Sequence, residues 1–198
     1  MRKAVPGIQS QTNESLAYRV AGVDTRKEDA ALGPFLQHLR NTWISRGHVR
    51  LEFGHFANIV EVEGTSIAIS TDGVGTKAMI PQLMDKYDTI GIDCVAMNVN
   101  DVLCLGAEPQ SMVDYIAVQE IDTRMLEEIG SGLEQGARQA NITIVGGELA
   151  QLPEMIHGLV EGSGFDLAGT CIGTLKGRAP VTGATIQPGD VIIGLRSS

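Results

Sequence analysis

Apolar positions recur along this chain with two different periods, and the switches between them mark its elements. Leu32, Leu36, Leu39 and Trp43 recur at three- and four-residue steps, which predicts a helix from about Asp24 to Ile44, with Asp24 or Thr25 placed to cap it. Ile59-Val60-Glu61-Val62 and Thr65-Ser66-Ile67-Ala68-Ile69-Ser70 read as two strands of a hairpin turned at Glu63-Gly64. Gly73-Val74-Gly75 interrupts the pattern, and a short helix is expected from Lys77 to about Lys86. From Thr89 to Leu105, the residues Ile92, Val95, Ala96, Val99, Val102 and Leu103 fall within an arc of about 120° at roughly 100° per residue. Asp93, Met97, Asn100 and Asp101 fall on the opposite arc, and Gly106 and Pro109 end the helix. Met112 to Val118 reads as a strand. Asp122 caps a long helix running through Met125, Ile129, Leu133 and Ala137 to about Gln139. Ile142-Thr143-Ile144-Val145 is a short buried strand ending in Gly146-Gly147-Glu148, Phe165 to Leu175 alternates as another, and Val191-Ile192-Ile193-Gly194-Leu195 opens a last one. Residues 1–16 read as a flexible lead-in and 17–198 as the folded domain. Strands alternating with helices imply an α+β fold, a mixed sheet packed on helices in two layers, and the hairpin argues against an all-parallel sheet.

Composition narrows the function classes. With 15 Lys+Arg against 24 Asp+Glu the formal charge is −9, and no stretch concentrates basic residues, which excludes a nucleic-acid backbone binder. No apolar run approaches the roughly 18 residues of a membrane span, and Val5-Pro6-Gly7-Ile8 is no secretory core. Cys94, Cys104 and Cys171 form no CxxC pair, which fits a reducing, cytoplasmic setting. The 24 glycines exceed average usage by about two thirds, and glycine gathers where backbone must turn sharply or approach a ligand.

The candidate chemistry lies beside those glycines. Thr71-Asp72-Gly73-Val74-Gly75-Thr76-Lys77 follows a strand and precedes a helix. Its backbone N–H groups, one carboxylate and one lysine are the parts that hold a phosphate with magnesium. Gly73, Gly75 and Ala78 also satisfy the loose dinucleotide fingerprint, but Asp93 lies on a helix where that motif needs a strand end. The spacing of a P-loop and the GxSxG elbow of a hydrolase are both missing. Asp93, Asn100 and Asp101 form a polar helix stripe suited to face the glycine turn. Gly146-Gly147-Glu148 offers a second glycine turn with a carboxylate. His157-Gly158 and Asp166 bracket a glycine-bearing segment, residues 158–164, that suits a mobile lid or a hairpin tip.

Taken in order, several segments resemble the phosphoribosylformylglycinamidine cyclo-ligase (aminoimidazole ribonucleotide synthetase) family. They are Ala21-Gly22-Val23-Asp24, Ser70 to Lys77, Asp88-Thr89-Ile90-Gly91-Ile92-Asp93, Val95-Ala96-Met97, Val99-Asn100-Asp101-Val102, Gly106-Ala107-Glu108-Pro109, Val145-Gly146-Gly147-Glu148, His157-Gly158 and Asp166-Leu167-Ala168-Gly169. The resemblance implies an ATP- and magnesium-dependent ring closure in purine biosynthesis, in which formylglycinamidine ribonucleotide becomes aminoimidazole ribonucleotide. It implies a homodimer whose N-terminal domains close a shared barrel. It assigns Asp72, Lys77, Asp101 and His157 to catalysis, and Gly73, Gly75, Thr76, Asp93, Asn100, Gly146, Gly147 and Glu148 to nucleotide binding. Asp72, Asp101 and Glu148 become the metal ligands.

Two departures bear on this reading. Where the family carries a threonine and a glutamate after Gly-Gly-Glu, this chain has Leu149 and Gln151. Family chains also run well past the position of Ser198 into a second domain, so the isolated chain is expected to bind ATP without closing the ring. The competing expectations are a thiamine monophosphate kinase or formylglycinamidine ribonucleotide synthetase relative, and a non-catalytic nucleotide-binding dimerisation module.

Overall fold

The computed structural model describes residues 20, 22, 25–43 and 48–196. The expected lead-in, the Asp24 cap and the terminal serines lie outside these residues, as does the side chain of Thr25. The chain forms two compact units divided between Arg46 and Gly47. The first contains helix α1 (Thr25–Arg40), four residues shorter at its C-terminus than its periodicity predicts.

In the second unit, strands β1 (His48–Val49), β2 (Asn58–Val62), β3 (Thr65–Gly73), β4 (Glu108–Val118), β5 (Thr143–Gln151) and β6 (Phe165–Thr174) form one sheet in the order β1-β2-β3-β6-β4-β5. The β2–β3 hairpin forms where alternation places it. Glu63 and Gly64 both have positive φ, 48° and 81°, the conformation that lets a two-residue turn match strand twist. β4 and β5 run parallel and every other pair is antiparallel. The sheet is therefore mixed, as the hairpin implied. A parallel pair needs a crossover, and helix α4 (Thr123–Ala140) supplies it. The Asp122 carboxylate accepts the Arg124 and Met125 N–H groups at 2.8 and 3.1 Å, so the expected cap is present.

After β3 the chain makes a 3₁₀ turn (Gly75–Ala78) and helix α2 (Met79–Met84), which stops at a left-handed Asp85. Helix α3 (Asp88–Cys104) lies between the sheet and α4. Its buried face therefore comprises Ile90, Gly91, Cys94, Val95, Asn98, Val99 and Val102. The arc drawn from hydrophobicity was displaced, since Ala96 and Leu103 are exposed. Contact on two sides rewards small residues, which a hydrophobicity arc undervalues. The core beneath includes Ile59, Ala68, Met112, Val118, Met125, Ile129, Leu167 and Leu175.

Two expectations need correction. Residues 191–195 form no strand, and Val191, Ile192, Ile193 and Leu195 are each more than four-fifths exposed. Apolar β-branched residues favour extended backbone, but a strand exists only where a neighbour takes its hydrogen bonds. Conversely, β5 does not end before Gly146-Gly147-Glu148 but runs through them to Gln151, because β4 continues alongside and supplies the ladder. No helix of the described residues is long and apolar enough to cross a membrane.

Candidate functional site

The polar stripe of α3 meets the glycine turn as its spacing suggested. Lys77 Nζ lies 3.1 Å from Asp93 Oδ1, and Ser70 Oγ donates to Asp101 Oδ2 at 2.8 Å. Ser70 and Asp72 lie two residues apart on one strand, so both face the helices. Gly75 sits at φ +56° with open space where a side chain would stand, so its backbone conformation, and not crowding, calls for glycine there. Thr76 is exposed at the turn, and Asn100 is exposed on α3.

The side chain that locks this arrangement is Asn98, fully buried among the apolar residues of α3. Past the last pairing with β2, at Ile69, its amide takes up both backbone groups of Asp72. Asn98 Oδ1 accepts the Asp72 N–H at 3.0 Å, and Nδ2 donates to the Asp72 carbonyl at 3.1 Å and the Cys94 carbonyl at 2.9 Å. A buried amide with its bonds made fixes register more firmly than an apolar side chain would. The Asp72 carboxylate in turn accepts the Gly73 N–H at 2.8 Å.

Asp114 was not among the residues singled out by sequence. The register lines up Asp72, Gly169, Asp114 and Gly147 across four strands, all on the helix side. The glycines make this row possible. A Cβ on Gly147 would lie 2.5 Å from Asp114 Oδ1, and one on Gly169 would lie 2.4 Å from Met112 Cε. Gly147 is therefore bare at Cα to let the Asp114 side chain pass. Asp114 opens into a cavity of about 620 Å³ walled by Ile116, Leu126, Ile144 and Leu149, and burial pushes its carboxyl above the ordinary range.

A pH dependence follows. An acid whose proton is held more tightly in the folded chain contributes stability at low pH, and that contribution is lost as pH rises through the raised value. Asp114→Asn is therefore expected to raise the melting temperature at pH 7.5 and to lose that advantage by pH 4. Scanning calorimetry at both pH values checks this, and a variant equally destabilised at each would overturn it. Burial also pushes the Cys94 thiol up to about 12, with Asp114, Asp72, Asp166 and Asp93 adding to the effect, so Cys94 is an inert core residue.

The three proposed metal ligands are not brought together. Glu148 pairs with Tyr115, one residue along from Asp114, so strand alternation turns it to the face opposite Asp72. Among the described residues no three His, Cys, Asp or Glu side chains are grouped to hold a metal. Asp72 and Asp101 remain on one side, and two carboxylates suffice where a phosphate and waters complete a magnesium shell. Gly146 lies in the open edge strand. His157 is exposed beyond β5, and Asp166 is exposed with its carboxylate accepting the Leu167 N–H at 2.9 Å.

A family model described as "AIR synthase related protein, N-terminal domain" matches residues 54–175. A phosphoribosylformylglycinamidine cyclo-ligase of Thermococcus kodakarensis is 48% identical over 187 residues, 92% of this chain and 54% of that protein. One of Methanocaldococcus jannaschii is 44% identical over 185 residues, covering 92% of this chain and 50% of the relative. The chain thus spans about half the length of the curated relatives it matches. Among solved structures, "AaThiL complexed with AMPPCP and TMP" superposes with a TM-score of 0.52 at 15% identity, over 70% of this chain and 40% of that one. A HypE–HypF complex gives 0.51 at 22% identity, over 66% and 40%. At such identities these two show a shared fold.

Proposed function

The chain belongs to the AIR synthase related family, and from that premise we propose that it is the ATP-binding half of a cytoplasmic phosphoribosylformylglycinamidine cyclo-ligase. The observation that carries the reading is the meeting of the Asp72–Lys77 turn with the Asp93–Asp101 stripe of α3. The substrate's formyl oxygen is a poor leaving group as it stands. Once it has taken the γ-phosphoryl group of ATP, the amidine nitrogen attacks the formyl carbon, loses a proton, and phosphate departs as the imidazole closes.

The chain's own work is to hold reactants and neutralise charge. The N–H groups of Gly73, Val74 and Lys77 are bonded to the Asp72 carboxylate and to the Leu167 and Val74 carbonyls. Those of Gly75 and Thr76 therefore cradle phosphate oxygens, and Lys77 exchanges its Asp93 partner for the transferred phosphoryl group. Asp72 and Asp101 would hold magnesium, which supplies charge neutralisation between the phosphates when bound. Asp93 and Asn100 flank this shell, Gly146, Gly147 and Glu148 belong to it by family resemblance, and His157 is the substrate contact. Because Glu148 faces away from Asp72, it serves a neighbouring subunit's nucleotide in this reading.

The same reading makes the protein a homodimer closed through the sheet. Ile69, Val113, Tyr115 and Ile172 on the face away from the helices are each about two-fifths exposed. Burying such a face across a two-fold axis removes apolar surface from water.

The test has two arms. Calorimetry on the 198-residue chain should give heat with magnesium and ATP. Ring closure should be undetectable from the chain alone and appear when the C-terminal half of the Thermococcus kodakarensis relative is supplied. Absence of nucleotide binding would overturn the reading, as would phosphoryl transfer to thiamine monophosphate in place of imidazole formation. Light scattering that gave a clean monomer at tens of micromolar would remove the dimer.

A further inference from the structure

Two buried glutamines hold the segment between His157 and β6, and nothing in the reaction outlined above uses them. Gln82 on α2 and Gln119 after β4 are 7% and 5% exposed. Long polar side chains are seldom buried to this degree without a partner. Gln82 Oε1 accepts the Leu159 N–H at 2.7 Å. Gln119 Oε1 accepts the N–H groups of Gly158 and Gly164, each at 3.4 Å, and its Nε2 donates to Glu161 Oε1 at 3.0 Å. The ends of the segment are pinched together between them. A Cβ on Gly158 would lie 2.6 Å from the Gly164 nitrogen and 2.7 Å from Gln82 Oε1. Residues 158–164 therefore form a closed ring fastened at its neck, and the mobile lid or hairpin tip suggested by the glycines is replaced by an anchored loop.

The two anchors differ in what they join. Gln119 ties the ring to the end of β4, a fixed part of the sheet. Gln82 ties it to α2, and α2 continues directly from the 3₁₀ turn that carries Thr76 and Lys77, with the Met79 N–H bonded back to the Thr76 and Lys77 carbonyls. Lys77 and Gln82 thus sit on one short, continuous stretch of helical backbone, one at each end.

We propose that Gln82 is a positioning residue that makes the phosphate turn and the His157 loop one mechanical unit, so that nucleotide held at residues 71–77 orders residues 157–164. This rests on the nucleotide reading above. It adds a link between the two reactant sites through a single hydrogen bond, from the Leu159 N–H to the Gln82 carbonyl oxygen. Through this bond, tightening of the phosphate turn on ATP tightens the already anchored His157 loop as well.

Amide hydrogen exchange on the 198-residue chain, with and without magnesium and ATP, tests it. In the unaltered chain, nucleotide should slow exchange of the peptide spanning 158–164 at least threefold. In Gln82→Met, which keeps the length and loses the acceptor, basal exchange there should rise several-fold and the nucleotide effect should vanish. The Kd for magnesium-ATP should stay within threefold of the original. Gln82→Glu keeps an acceptor oxygen in either protonation state and should restore the coupling, which a purely structural role does not require. Gln119→Glu should not behave as a benign replacement, because it faces Glu161. Gln82→Ala, read the same way, replaces the methionine variant if that does not fold. Nucleotide protection that survives in Gln82→Met, or a Gln82→Glu variant that behaves like Gln82→Met, would overturn the link. Heat of binding without loop protection in the unaltered chain overturns this proposal alone, whereas no heat at all removes both it and the nucleotide reading.

Discussion

Asp101→Asn is expected to lower ring-closing turnover by roughly 10²–10³-fold, the loss typical when one preorganised group opposing transition-state charge is removed. The melting temperature should stay within a few degrees. Both halves of this expectation come from the same geometry. Asp101 is half-buried on α3 and takes the Ser70 hydroxyl on one carboxylate oxygen at 2.8 Å. Asparagine is nearly isosteric, and its carbonyl oxygen accepts the same hydroxyl, so the contact between α3 and β3 persists. What disappears is a full negative charge and one oxygen ligand of the kind magnesium takes. The measurement is steady-state turnover with the C-terminal half supplied, beside calorimetry of magnesium-ATP on the chain itself. Weakened magnesium-dependent binding together with lost turnover supports the assignment. Unchanged turnover would sink it, and a large fall in melting temperature would show that Asp101 serves the fold instead.

The parts of this site that were legible in the sequence are those written in local terms. A glycine turn between strand and helix, a carboxylate at an N-cap, and a two-residue hairpin turn each depend on residues within a few positions of one another. Hence the Asp72–Lys77 turn, the Asp122 cap and the Glu63-Gly64 turn lie where the pattern placed them. The polar stripe of α3 was legible for the same reason, because helix geometry alone puts Asp93 and Asp101 on one side.

What sequence could not supply was register across the sheet. Asn98 falls between the apolar arc and the polar stripe of α3 and gives no sign that its amide closes onto Asp72, 26 residues earlier. Asp114 shares the inward parity of Met112, Ile116 and Val118, and a carboxylate at an inward position was the one signal that could have drawn attention to it. Glu148 was joined to Asp72 by the family resemblance, yet pleating turns it to the other face. Gln82 and Gln119 matter only because a loop closes over them.

The packing of α3 against α4 makes the sharpest stability expectation, because it reverses an ordinary rule. Replacing glycine by alanine inside a helix usually stabilises by about 1 kcal/mol, since alanine loses less backbone freedom on folding. Gly130 and Gly132 lie two residues apart on α4, and that rule should hold at the first and fail at the second. A Cβ at Gly130 meets nothing within 4 Å. A Cβ at Gly132 would lie 1.8 Å from the Asp88 carbonyl oxygen and 3.1 Å from the Gly91 Cα, both backbone atoms of the facing helix. A flexible side chain could swing away from such a contact, but a helix backbone cannot. The two helices must separate or the first turn of α3 must unwind, and either opens the core around Ile90, Ile129 and Leu133. Overpacking of a core commonly costs about 1–3 kcal/mol, and a clash with backbone on both sides belongs at or above the top of that range. For a domain of this size each kcal/mol moves the melting temperature by about 2–4 °C. Gly132→Ala should therefore lower it by roughly 10 °C, while Gly130→Ala raises it by a few degrees. Calorimetry on the pair decides the matter, and equal shifts in the two variants would mean that α3 and α4 do not approach as closely as the backbone contacts at Gly132 require.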